Sequence, residues 1–189
     1  IRGLTGCLNL IDLEVKNINI EILNGNCEDS VNIVRSNGTI NELKILNSSN
    51  DALDVDFSDI SILKTNIITA GNDCIDLSFG TYKIEEANIS DCGDKAISVG
   101  EKSHLTSQNL NIMNVNIGVA SKDSSKVRLV NANFKNVEVC LAAYNKKQEF
   151  LGGSIMINNF TCKNFSKKTL IDNLSIISLN NQILQANEL

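Results

Sequence analysis

The sequence predicts an all-β chain, a single-stranded right-handed parallel β-helix of about eight coils. Three observations predict it. Six segments align without gaps at a fixed spacing of 22 residues: DSVNIV from Asp29, DALDVDF from Asp51, DCIDLSF from Asp73, KAISVG from Lys95, IGVASK from Ile117 and VCLAAY from Val139. A fixed period of this size marks stacked, equivalent units. Within each unit the apolar residues are largely β-branched and alternate with polar ones, which is the strand period of two. Proline is absent from all 189 residues, although average usage would give about nine. Continuous backbone pairing excludes it, because proline has no N–H to give to a ladder.

The elements follow in chain order. Residues 1–26 fit the period loosely and make a first coil. Ile40, Ile45 and Leu53 then recur as Ile62, Ile67 and Ile75, and again as Ile84, Ile89 and Ile97. These columns are expected to be buried ladders, with two or three strand runs per coil and rungs ~4.8 Å apart. In DALDVDF the alternation puts Leu53, Val55 and Phe57 on one side. From Phe134, FKNVEVCL replaces the longer NISDCGDKAI, so one turn shortens. Residues 145–153 (NKKQEFLGG) break the period and read as a loop bulging from one turn, with the ladder resuming near Thr169. The tail NQILQANEL is helix-compatible and is expected to cap the open end, where strand groups would otherwise be unpaired. A leucine-rich repeat has a similar period but one strand per unit and a leucine consensus. A left-handed β-helix would show a six-residue sub-period, which this chain lacks.

Composition narrows the class further. The whole chain reads as one domain, residues 1–189, long enough to bury a continuous core. The 28 asparagines suit many repeated tight turns. Six cysteines (Cys7, Cys27, Cys74, Cys92, Cys140 and Cys162) show no CxxC spacing, so neither a zinc site nor a redox motif is expected. Cys74 and Cys140 share a column with Ser30, Ala52, Ala96 and Gly118 and read as small buried fillers. A net charge of −5 argues against nucleic acid as a partner. No apolar run reaches the ~20 residues of a membrane span. Opening on Ile1 rather than Met, the chain is expected to be either a processed product or a domain of a longer protein with flanking domains.

The outward positions form polar columns: Asp29, Asp51, Asp73 and Lys95; Asn32, Asp54, Asp76 and Ser98; Asp56, Ser78, Gly100 and Lys122; and a turn column of Asn50, Asn72, Asp94 and Asn116. Stacked carboxylates one rung apart repel, so screening, protonation, a cation or amide donors must compensate. Asp29, Asn50, Asn72 and Asp94 read as turn caps. Asp54 and Asp76 fall inside strands, where aspartate is disfavoured, and point more strongly to function.

On these residues the chain resembles the pectin-lyase-like right-handed β-helices, polygalacturonases in particular. Asp51 in SNDALD, Asp73 in GNDCIDL, GDKAISVG and Lys122 in GVASK are similar to that family's successive NTD, GDD, GHG and RIK rungs. The departures are Asn72 where the family has its acid, Lys95 where it has histidine, and Ala120 where it has arginine. Two carboxylates are needed for glycoside hydrolysis. The resemblance therefore implies Asp51 and Asp73 as carboxylates with Lys95 as base or charge stabiliser. The related lyases imply Ca²⁺ held by Asp51, Asp54, Asp73 and Asp76, since calcium takes six to eight oxygens. Lys122 and Tyr144 are the candidate substrate-binding residues, and Tyr82, Tyr144 and Phe150 could line a cleft beside the 145–153 loop. His104, the only histidine, reads as a surface loop residue. The phrases GDKAISVGEKS, IGVASKD and LAAYNKKQEF also resemble bacterial β-helix domains of larger surface or secreted proteins. That resemblance suggests an extracellular or cell-surface setting. With the acid and histidine replaced and aromatics at 4%, the expectation is a non-catalytic scaffold or glycan-contacting module. A polysaccharide lyase or glycoside hydrolase using the aspartate strip is the alternative.

Overall fold

The computed structural model describes residues 4–186. Its strands run in chain order as β1 (Gly6–Ile11), β2 (Glu14–Gly25), β3 (Asp29–Val34), β4 (Asn37–Ser48), β5 (Asp51–Asp56), β6 (Asp59–Ala70) and β7 (Ile75–Ser78). They continue as β8 (Thr81–Cys92), β9 (Lys95–Gly100), β10 (His104–Lys122), β11 (Lys126–Tyr144), β12 (Ser154–Ile171), β13 (Ile176–Leu179) and β14 (Gln182–Leu184). No helix occurs among the described residues. Up to β9 long and short strands alternate, and every strand from β1 to β13 pairs in parallel with its equivalent one coil away, while β14 folds back antiparallel on β13. The result is a β-solenoid of about eight turns. In β10, β11 and β12 the long and short strands of a coil merge into one bent strand.

Register follows the sequence period. Leu53 pairs with Ile75, Ile75 with Ile97, and Ile117 to Lys122 with Val139 to Tyr144. The first coil is offset by 23 residues and carries an irregularity between Lys16 and Asn19. Val31, Leu53, Ile75, Ile97, Val119 and Leu141 thus stack as one buried ladder. Ile45, Ile67, Ile89 and Ile112 face them from the long strands. Each fully buried Leu or Ile contributes ~1.5–3 kcal/mol relative to exposure.

The bends explain the asparagines. Asn24, Asn47, Thr69, Asp91, Asn114, Asn136 and Asn164 occupy equivalent bends, all at positive φ. Asn and Asp tolerate that region better than other L-residues. Their amides also join the coils: Asn47 donates to Asn24 (3.0 Å), Asn114 to Asp91 (2.9 Å), Asn136 to Asn114 (2.9 Å) and Asn164 to Asn136 (3.0 Å). At another bend the buried serines Ser36, Ser58, Ser103 and Ser125 recur, and Gly80 takes the place of one. A Cβ there would fall 2.4 Å from the Tyr82 hydroxyl.

Several sequence expectations are corrected. The cysteines are not fillers: Cys7–Cys27, Cys74–Cys92 and Cys140–Cys162 are disulfides, and no cysteine is free. Tyr82 belongs to the core rather than a cleft, its single O–H placed between the carbonyls of Ser78 (2.7 Å) and Val55 (2.9 Å). Phe57 does not share the buried side with Leu53 and Val55, because the chain bends there at φ 51° and leaves the ring 55% exposed. The ladder resumes after the loop at Ser154, which pairs with Lys126. His104 opens strand β10 rather than lying in a loop. The tail is a strand hairpin through Gln182–Leu184, not a helix, and residues 187–189 lie outside those described.

Candidate functional site

The short strands β3, β5, β7 and β9, with the final residues of β10 and β11, make one parallel sheet. Its outer face carries the predicted strip. Register sets Asn32, Asp54, Asp76 and Ser98 in one row and Asp56, Ser78 and Gly100 in the next. Lys122 and Tyr144 continue the second row.

Asp51 and Asp73 turn toward the backbone of the following coil. Asp51 Oδ1 accepts the Asp73 N–H at 2.8 Å and the Asn72 side-chain amide at 2.7 Å. Asp73 Oδ1 accepts the Lys95 N–H at 2.9 Å. Each carboxylate therefore caps the turn one coil away. Lys95 closes the set by pairing with Asp73 at 3.3 Å and with Asp94. Burial pulls the Lys95 ammonium down, but the Asp94 hydrogen bond and the Asp73 charge outweigh it and hold the group above its usual range. An ammonium held that way stabilises charge but does not serve as a general base near neutral pH.

The in-strand aspartates behave differently. Asp54 Oδ2 accepts the Asn32 amide at 3.0 Å. Burial, with the charges of Asp56, Asp29, Asp76 and Asp51 around it, pushes Asp54 up to about 8. Burial raises Asp73 to about 6, with Lys95 opposing. It also raises Asp29, Asp51 and Asp56. Asp76 Oδ1 is buried with no hydrogen-bond partner, and so is the Ser98 hydroxyl beside it. Among the described residues no group of three or more His, Cys, Asp or Glu side chains converges as a metal cage. Two of the four candidate calcium ligands, Asp51 and Asp73, already accept backbone N–H groups.

The other end of the strip is basic. Lys122 is only 5% exposed, and its chain lies over Gly100. Among the described residues it has no carboxylate within salt-bridge distance. Tyr144 is next along the row, its hydroxyl pKa raised by burial.

A second group contains Phe150, expected beside the 145–153 loop, together with Glu101, Phe57 and Phe79, which were not expected there. Glu101 accepts the Ser78 hydroxyl at 2.6 Å and pairs with Lys147 of the loop. Burial raises the Glu101 carboxyl, but Lys147 and Ser78 outweigh it and leave it below its usual range. Phe57 and Phe79, one coil apart, stack with ring centroids 4.7 Å apart and planes 6° from parallel. Phe150 from the loop meets Phe79 edge-on at 6.2 Å. The repeat held a signal for this pair, because DALDVDF and DCIDLSF align Phe57 with Phe79. Strict alternation assigned that column to the core. No family model, no curated protein and no solved structure matches the chain.

Proposed function

We propose that the chain is a non-catalytic, right-handed, pectin-lyase-like β-helix module of a larger surface or secreted protein, serving as a scaffold that contacts glycans. One observation carries this reading: the two carboxylates that align with catalytic positions, Asp51 and Asp73, are spent as acceptors for N–H groups of the next coil. Asn72 and Lys95 at the acid and histidine positions support it further. Right-handedness rests on the crossover rule for parallel strands, obeyed in ~98% of cases. The three disulfides support a setting outside the reducing cytosol. Lys122 and Tyr144 are the residues proposed to touch a ligand from the strip.

The alternative, a glycoside hydrolase or polysaccharide lyase, is favoured by one feature. Asp54 and Asp73 share a surface and titrate apart, at about 8 and about 6, which is how acid and base roles are divided. Calcium among Asp51, Asp54, Asp73 and Asp76 belongs to this second reading. Titration calorimetry against neutral and acidic oligosaccharides, with reducing-end release followed in the same samples, separates the two. The module reading expects saturable binding without release. Release that disappears in Asp73→Ala would overturn it.

A further inference from the structure

We propose that Phe57 and Phe79, flanked by Phe150, form a contact platform for a neutral pyranose oligosaccharide whose hydroxyls are accepted by Asp54 and Asp56. The inference rests on the glycan-contacting reading above and names its ligand class and its site.

Packing does not account for the two rings. Phe57 is 55% and Phe79 41% exposed. Both sit at positive φ, 51° and 49°, where a bulky residue costs ~1–3 kcal/mol. The coils on either side manage the same bend with Arg35 at φ 47° and Glu101 at φ 42°. The bend therefore does not require an aromatic. Stacking on Phe79 covers one face of Phe57, and the residue still keeps more than half of its surface exposed.

The loop is built toward this platform. It is the one long insertion in the repeat, and it is tied down along its length. Fully buried Asp123 accepts the N–H groups of Lys146 and Lys147, both at 2.8 Å. The Asn145 amide donates to the carbonyls of Lys147 (2.9 Å) and Phe150 (2.8 Å). Leu151 N–H reaches the Ser124 hydroxyl at 2.9 Å. Phe150 is thus held against Phe79 in advance, which lowers the ordering cost of binding.

The neighbouring surface selects the ligand. Among the described residues no hydrogen-bond donor meets the Asp56 carboxylate, and the Asn32 amide occupies only Oδ2 of Asp54. This leaves acceptors without donors beside an apolar surface. A pyranose supplies the complement, C–H groups on its ring face and hydroxyl donors around its edge. An acidic polymer would meet the carboxylates of Asp54, Asp56 and Asp76 beside the rings, opposed by Lys102 over Phe150 and by Lys122 at the far end of the strip. Lys95 and Lys147 are committed to Asp73, Asp94 and Glu101.

The test is calorimetric titration of the full chain with neutral oligomers of glucose, mannose and galactose, and with uronic acid oligomers. The variants are Phe57→Asn, Phe79→Asn and the double substitution. Asparagine suits the bend, so the fold is retained, which circular dichroism checks. Binding of a neutral oligomer is expected, weakened ~3–10-fold by each single change and abolished by the double. Neutral binding unchanged in the double variant, or binding of uronic oligomers alone, would overturn the platform while leaving glycan contact standing. Binding of neither class would overturn both.

Discussion

Removing the Cys74–Cys92 disulfide tests how the coils are fastened. The bridge spans 18 residues, and closing such a loop in the unfolded chain is worth ~3 kcal/mol. The solenoid contains its own reference states. Two coils earlier the equivalent positions are Ser30 and Ser48, whose buried hydroxyls hydrogen-bond at 2.6 Å. In the coil between, they are Ala52 and Ala70. Cys74→Ser with Cys92→Ser should recreate the serine pair and recover ~1 kcal/mol, for a net loss of about 2 kcal/mol. For a chain of this size that lowers the midpoint by about 4–8 °C. The double alanine variant should lose the full ~3 kcal/mol. Urea denaturation without reductant measures both. A double serine variant within ~0.5 kcal/mol of wild type, or free thiols in the unfolded, unreduced protein, would refute the reasoning.

Three further outcomes are expected. Asp54 at about 8 binds its proton more tightly in the folded than in the unfolded chain. Its contribution is full below about pH 4 and lost as pH rises through about 8, a change on the order of 5 kcal/mol. Stability measured by urea unfolding should therefore fall from about pH 5 to about pH 8, and Asp54→Asn, which keeps an acceptor for Asn32, should flatten that slope. Phe79→Asn should leave stability within ~1 kcal/mol of wild type, because relief at the bend offsets the lost stacking; a loss above ~2 kcal/mol on thermal unfolding would make the ring structural. Asn136→Gly keeps the bend but removes hydrogen bonds to Asn114 and Asn164, so chemical denaturation should show a loss of ~1–2 kcal/mol.

The coils were legible because the register of a stacked sheet is the sequence period itself. Aligning Leu53 with Ile75 and Ile97 already states which residues pair. The disulfides were not legible in the same way. Cys74 and Cys140 share a column, but Cys92 and Cys162 stand in different columns on the long strands. A bond between unlike positions of the coil is not marked by the repeat; even Cys140 and Cys162, 22 residues apart, are not equivalents, because the loop shifts the register there to 28. Phe57 was misassigned because alternation ends where the backbone turns into positive φ, and one residue type does not announce that turn. Tyr82 reads as a cleft residue until Gly80 is seen to make room for its hydroxyl. The strip's columns follow from the spacing, but their burial does not: Asp29, Asn32, Asp73, Ser98 and Lys122 are all buried. Spacing alone does not say whether an aspartate faces solvent or the next coil's N–H, and that direction separates Asp51 and Asp73 from Asp54 and Asp56.

The role of that direction is tested most directly by Asp51→Asn and Asp51→Ala, compared by urea unfolding near neutral pH. Asparagine keeps an oxygen for the Asp73 N–H and removes a charge that burial disfavours. It should match or exceed wild type. Alanine leaves that N–H without its acceptor and should cost ~1–3 kcal/mol. If the two variants are equally stable, Asp51 does not fasten one coil to the next, and the structural account of the strip fails.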